Sequence, residues 1–188
     1  MHLVWPSAER LPSYVAALQQ GRSADNIRGV AAAEEELLEI SADPAVFIAG
    51  LVDRNPVERV VTLADGSKVP RLPSCRRWLW DGEFCGVIGL RWQAGTHELP
   101  PHCLGHIGYS VVPWKKRQGY ATSALRQLLP EVHAEGLQYV EVTTDPDNLA
   151  SQHVILSNGG VLVEQFHRPA EMGGTPGLRY RINVRADI

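Results

Sequence analysis

The chain has 188 residues, 18 of them Lys or Arg and 21 Asp or Glu, for a net charge of −3, and 44% are hydrophobic. That apolar share buries a core and excludes a disordered tail, and the length fits one domain spanning 1–188. The acidic balance argues against a nucleic-acid partner held by a broad basic surface.

In chain order, His2 to Trp5 reads as a short strand broken by Pro6-Ser7. Leu11, Tyr14, Val15 and Leu18 fall at helical spacing, so an amphipathic helix ends near Gly21. Ala31 to Ile40 is rich in Ala, Glu and Leu and reads as a second helix. Asp43-Pro44 is an N-cap followed by proline, opening a third helix through about Val52. Arg54 to Pro73 carries loop chemistry, with a brief strand at Val57 to Leu63. Asp81-Gly82 is a two-residue hairpin signal between strands Arg76 to Trp80 and Glu83 to Trp92. Gln93 to Leu104 is irregular, and His106 to Val112 is the next strand. A helix over Tyr120 to Glu135 is closed by Gly136. Strand Gln138 to Thr144, a turn at 145–148, helix Ala150 to Ser157, strand Val161 to Phe166, a loop from His167 to Gly177 and strand Leu178 to Val184 complete the chain. The order implies an α/β (α+β) domain with a mixed sheet and helices on both faces.

Cys75, Cys85 and Cys103 form no CxxC pair, so neither a disulfide framework nor a zinc knuckle is expected. No His/Cys/Asp cluster has ligand spacing, and no metal site is expected. No apolar run approaches the ~20 residues of a membrane span. The first residues lack a basic segment followed by an apolar one, so no signal peptide and a cytoplasmic location are expected.

The informative segment is Gly105 to Gly160. Strand Ile107 to Val112 delivers Pro113-Trp114-Lys115-Lys116-Arg117-Gln118-Gly119-Tyr120-Ala121-Thr122 to a helix start. Free N–H groups of a first helical turn, the helix dipole and adjacent cations make an anion site. Gly119 and the small Ala121 let a ligand approach the backbone closely. A solvated basic face is the alternative reading of the loop taken alone. There is no GxGxxG and no P-loop.

Lys116-x-x-Gly119-x-Ala121 resembles the acetyl-CoA signature of the GNAT superfamily of N-acetyltransferases, Gln/Arg-x-x-Gly-x-Gly/Ala, with Lys116 departing from the usual residue. Asp147-Asn148-Leu149-Ala150-Ser151 followed by Asn158-Gly159-Gly160 is similar to that family's second segment. Leu90-Arg91-Trp92 and Gly105 to Val111 further resemble a bacterial branch of predicted acetyltransferases. The resemblance implies a mostly antiparallel central sheet split between its fourth and fifth strands, with 105–160 as the acetyl-CoA-binding core.

It also implies roles. Val111 and Val112 would pair with the pantetheine amides, and either amide would face the developing oxyanion. Lys116, Arg117, Gln118, Gly119, Tyr120, Ala121 and Thr122 would hold the pyrophosphate, and Asn148 and Ser151 the far side of the pantetheine arm. The position where superfamily members often carry a tyrosine acid is Ile155. Base candidates are His106, Glu98 and Glu141, with His102 nearby; a strand residue (His106) or a solvent-facing one (Glu141) is the alternative for each. Arg91, Trp92 and Tyr109 would border the acceptor, and the 93–104 loop would cover it. The implied function is transfer of acetyl from acetyl-CoA to a primary amine of a small molecule or peptide, with a homodimer compatible with the superfamily habit. The departure at Ile155 keeps open a catalytically silent acetyl-CoA-binding sensor or scaffold module, and an acyltransferase for longer acyl groups or alcohol acceptors is a third reading.

Overall fold

A computed structural model describes residues 1–23, 29–56, 59–63 and 66–184. Its elements are β1 (His2–Val4), α1 (Leu11–Gln19), α2 (Val30–Ala42), α3 (Pro44–Gly50), β2 (Val52–Asp53), β3 (Val60–Thr62), β4 (Lys68–Pro70), β5 (Ser74–Trp80), β6 (Phe84–Arg91), β7 (Ile107–Val111), α4 (Tyr120–Ala134), β8 (Tyr139–Thr144), α5 (Leu149–Leu156), β9 (Val161–His167) and β10 (Pro176–Asn183).

The strands form two main sheets rather than one. The first runs β1-β5-β6-β7 with β2 also on β5, and the second runs β8-β10-β9. Every pairing within them is antiparallel. The break falls between β7 and β8, the fourth and fifth strands expected from the sequence when the brief strand at 57–63 is left aside. β3 and β4 pair as a separate ribbon.

Period-two alternation buries the first sheet on both faces. Cys75 and Leu79 of β5 and Ile88 and Leu90 of β6 point into one core, which α4 closes with Leu125, Leu128 and Val132, one stripe of its surface. Val140 and Val142 of β8 complete that core. Trp78 and Phe84 point the other way, under Tyr14 of α1, Ala33 and Ile40 of α2, and Phe47 of α3. Tyr14 stacks on Trp78 with centroids 5.0 Å apart and meets Phe84 edge-on at 4.9 Å, geometries worth about 0.5–1.5 kcal/mol beyond area burial.

Local chemistry sets the boundaries. The Asp43 side chain accepts from the Ala45 and Val46 amides and starts α3. α3 stops at Gly50, short of the expected Val52, because Val52 is drawn into a pair with Cys75 of β5. The expected strand at 57–63 is β3, from Val60; Val57 and Glu58 lie outside the described residues. β10 begins at Pro176 rather than Leu178, since Pro176 pairs with His167.

β6 and β7 approach closely at Gly86, next to a bulge in the β5–β6 pairing at Leu79 and Trp80. A Cβ on Gly86, whose φ is +157°, would lie 2.2 Å from the Ser110 carbonyl oxygen. Gly86→Ala therefore forces the two strands apart, and urea denaturation should show a loss of about 2–4 kcal/mol.

Candidate active site

The gap between β7 and β8 is pinned at one end. The His106 N–H donates to the Glu141 carbonyl at 2.8 Å, and the Glu141 N–H donates to His106 Nδ1 at 3.0 Å. Beyond that point β7 and β8 belong to different sheets. The Arg91 N–H donates to the His106 carbonyl and the Val112 N–H to the Cys85 carbonyl. With those two bonds fixed, antiparallel alternation turns the even residues of β7 toward β6 and aims the amides of Tyr109 and Val111 into the gap. Val112 is thereby corrected as a backbone partner for a ligand: its N–H is already used, and its side chain is core.

The gap leads to the loop before α4. Arg117 adopts φ +62° and Gly119 φ +74°. Left-handed residues beside a helix start are the backbone geometry from which anion-binding nests of N–H groups are made. The N–H groups of Arg117 to Thr122 find no backbone acceptor among the described residues; the next, Ser123, bonds the Gly119 carbonyl at 3.0 Å. No side chain caps α4. Lys116, Arg117, Gln118 and Gly119 are exposed, and Tyr120, Ala121 and Thr122 half-buried. Neither Lys116 nor Arg117 pairs with a carboxylate among the described residues.

Lys115 does something else. Its Nζ pairs with Asp81 at 2.9 Å and Glu83 at 2.8 Å, and the Tyr120 hydroxyl donates to Asp81 at 2.6 Å. Asp81 at the β5–β6 turn is thus a buttress under the anion loop. The sequence marked it only as a turn residue. The Tyr120 hydrogen bond, then that of Lys115, hold its carboxyl well below the usual range.

On the far side of the gap, Asn148 Oδ1 accepts the Ser151 N–H at 3.1 Å and caps α5. The Tyr109 hydroxyl crosses from β7 to within 2.8 Å of Ser151 Oγ. Burial pushes its pKa up, against the Ser151 hydrogen bond. Ile155 is fully buried, and a Cβ on Gly160 would lie 2.4 Å from its Cγ2, so packing occupies that position.

Of the base candidates, the structure brings His106 and Glu141 together at the clamp and places Glu98 on the 93–104 loop. His106 is 1% exposed, and burial first of all pushes its pKa down, although Glu141 and the His97 and Glu141 backbones favour its charged form. Because Nδ1 accepts an amide, the proton of neutral His106 sits on Nε2, which is buried with no partner at ordinary hydrogen-bond distance among the described residues. The ring therefore offers no free lone pair. Burial works against the charge of Glu141, but hydrogen bonds from Arg181 at 2.7 Å and Arg179 at 2.8 Å outweigh it and hold the carboxyl below its usual value. Glu98 is exposed on the 93–104 loop, its N–H on Thr96 Oγ1. Trp92 is 6% exposed and packs in the core, so it does not face an acceptor. Arg91 is exposed, with one nitrogen 3.9 Å from Cys103 Sγ.

The Asp81 pairing stabilises the fold above the ordinary carboxylate pKa of about 4 and fades as acid titrates the group. Asp81→Asn should lower the melting temperature at pH 7, and the gap to the native protein should narrow as pH falls from about 5 toward 2.

The sequence matches the family described as "Acetyltransferase (GNAT) domain" over residues 26–161, well over half of the chain. No curated protein matches it. Among solved structures it is similar to RimL, a ribosomal L7/L12 alpha-N-protein acetyltransferase in complex with coenzyme A, with TM-score 0.61 and 16% identity over 98% of this chain and 94% of that one. It is also similar to the microcin C7 self-immunity acetyltransferase MccE, in complex with acetyl-CoA and AMP, with TM-score 0.55 and 13% identity over 97% and 91%. A third is yncA, a putative acetyltransferase from Salmonella typhimurium with its cofactor acetyl-CoA, with TM-score 0.52 and 13% identity over 98% and 94%. At these identities the likenesses speak to the fold, and the fold is theirs. With the gap, the anion nest and the family match together, the chain belongs to the GNAT family of acetyltransferases, enzymes that use acetyl-CoA.

Proposed function

We propose that this protein moves the acetyl group of acetyl-CoA onto a primary amine of a small molecule or peptide, in the cytoplasm, with 1–188 working as one domain and 105–160 as its cofactor-binding core. The observation that carries this reading is the continuity between the gap and the nest. The open amides of Tyr109 and Val111 lead to a run of unbonded N–H groups at Arg117 to Thr122. This fits an extended ligand with amide groups in its middle and phosphates at its end. Lys116 and Arg117 add charge that no acid of the described residues neutralises.

Acetyl-CoA supplies an activated acyl group and a thiolate leaving group. The chain supplies positioning and a proton. The Tyr109 and Val111 amides donate hydrogen bonds into the gap. The Tyr109 hydroxyl, protonated at neutral pH and held at Ser151 of α5, is the hydroxyl available in this reading, since Ile155 carries none. It is the acid in this reading, fixed by Ser151. Ser151 and Asn148 act through α5, Asn148 by capping it. His106 acts as the clamp that fixes where the gap begins, and Glu141 holds the other half of that clamp. Glu98 is the base candidate whose carboxylate is exposed.

A specific observation favours a second reading, a silent acetyl-CoA-binding module: the His106 lone pair and the Glu141 carboxylate are both committed inside the protein. Thiol release separates the two, since a silent module binds acetyl-CoA and releases no thiol with any amine.

Calorimetric titration should show micromolar binding of acetyl-CoA to the native protein, with Gly119→Glu abolishing it through bulk and repulsion in the nest. Normal binding by that variant places the phosphates elsewhere. Tyr109→Phe should lower kcat by about 10²-fold with acetyl-CoA affinity little changed. An unchanged kcat removes Tyr109 as the acid.

A further inference from the structure

Beside the gap, a cavity of about 360 Å³ opens between the β3–β4 ribbon, the ends of β5 and β6, and the loop segment at His102 and Cys103. Its charged lining is Arg71, Arg76, Arg91 and His102, and no Asp or Glu lines it. In a chain with three more acids than bases, four cationic or protonatable groups with no acid form a local field of one sign. Two of the guanidinium groups are partly balanced from outside: Arg71 by Asp53 at 3.8 Å and Arg76 by Glu36 at 3.9 Å. Arg91 has no carboxylate within ion-pair distance among the described residues; its contact is the Cys103 sulfur at 3.9 Å.

The floor joins this cavity to the gap. Arg76 on β5, Gly89 on β6 and Gly108 on β7 lie opposite one another across three strands. A Cβ on Gly89 would meet Arg76 Cγ at 3.5 Å, and one on Gly108 would meet Arg91 Nη2 at 3.8 Å. The two arginines therefore lie against a floor of bare backbone. Gly108 precedes Tyr109, whose amide faces the gap. On this face the even positions of β7 carry only Gly108 and Ser110, while the odd side chains pack toward α4. Gly108 lies just beyond the cavity's lining, under Arg91 and next to the open edge of β7. The opposite wall of the cavity is apolar, with Val61 and Val69 of the ribbon.

We propose that this arginine-lined cavity binds an oxyanion of the acceptor, so that the substrate is an amine that also carries a carboxylate or phosphate beside an apolar portion. The substrate class rests on the acetyltransferase reading above; the anion site itself does not. Arg91 is its specificity-determining residue, because it is the guanidinium of the three left unbalanced and the one that reaches Gly108. A guanidinium binds such a group in a planar, two-bonded fashion that a lysine does not reproduce.

Two measurements on the full chain test this. In the first, 4-methylpentanoate and inorganic phosphate are titrated separately into the protein without acetyl-CoA, and the backbone amide signals of Gly89 and Gly108 are followed by NMR. At least one anion should shift both signals saturably below concentrations on the order of 10 mM. Saturation by the carboxylate alone assigns a carboxylate-bearing amine, and by phosphate alone a phosphorylated one. Arg91→Gln should remove the response and Arg91→Lys retain part of it. No shift from either anion, or a shift that survives Arg91→Gln, overturns the site.

In the second, leucine and leucinamide are compared as acceptors by thiol release, with aminomethylphosphonate as the phosphorus-containing arm. An anion-bearing acceptor should have kcat/KM about tenfold or more above leucinamide, the difference lying in KM, and Arg91→Gln should collapse that ratio. A preference for the neutral amide overturns the substrate class. Failure of the acetyltransferase reading shows itself differently, as loss of acetyl-CoA binding in calorimetry while the anion shifts persist.

Discussion

β7 is hydrogen-bonded along one edge only, and the rest of the site follows from that. Its even residues spend their backbone groups on β6, as the Arg91–His106 and Val112–Cys85 bonds fix. An exposed strand edge normally invites a further strand. Here β8 would be that strand, yet it belongs to the sheet completed by β10 and β9. The two sheets touch where His106 and Glu141 exchange hydrogen bonds, and diverge beyond. The clamp has a cost. Among the described residues His106 Nε2 is buried with no partner at ordinary hydrogen-bond distance, at a cost of about 1–3 kcal/mol. Its position at the root of the gap gives that cost a purpose: the ring sets the point from which the strands separate.

Charge is distributed by the same logic. The acids near the site are mostly committed to cations that hold elements in place: Asp81 to Lys115 beneath the anion loop, Glu141 to Arg179 and Arg181 across the second sheet, Glu131 to Arg77 between α4 and β5. Among the described residues, Lys116 and Arg117 at the nest and Arg91 on the glycine floor form no ion pair, and Glu98 is an exposed acid that also forms none. A net-negative protein thus presents positive potential at two places, both bordering the same gap. Arg22 illustrates the contrast. It is 4% exposed, bonded to the Tyr14 hydroxyl at 2.7 Å and lying over the Tyr14 and Phe84 rings, so its charge serves the core under α1 and α2.

Much of this architecture was legible in the residues because local chemistry decides it. Asp43-Pro44 caps a helix wherever it folds, Asp81-Gly82 turns a hairpin, and Lys116-x-x-Gly119-x-Ala121 lies between a strand and a helix start. The break between β7 and β8 was legible only through the resemblance, since nothing in the two strands themselves forbids pairing. Side-chain commitments were harder still. That Lys115 turns back to Asp81 while Lys116 stays free depends on tertiary approach across 34 residues. His106 was an attractive base by residue type, but the tautomer forced on it by the Glu141 amide depends on a partner 35 residues away. Trp92, placed beside the acceptor by the resemblance although a tryptophan there is more often core than pocket, packs in the core just past the end of β6. Arg71 and Arg76 carried no signal at all, because the cavity they line is assembled by the short ribbon β3–β4, whose pairing is too brief to register as a pattern.

Parity on β7 is also why the two proposed ligand sites can share five residues. Ile107, Tyr109 and Val111 send side chains toward α4 and backbone amides toward the gap, while Gly108 and Ser110 send backbone to β6 and almost nothing to the opposite face. A larger residue at 108 would fill the floor against Arg91 without touching the gap. A change at 109 would alter the gap and its hydroxyl without touching the floor. Period-two geometry therefore lets the cofactor side and the acceptor side vary independently, on neighbouring residues of one strand.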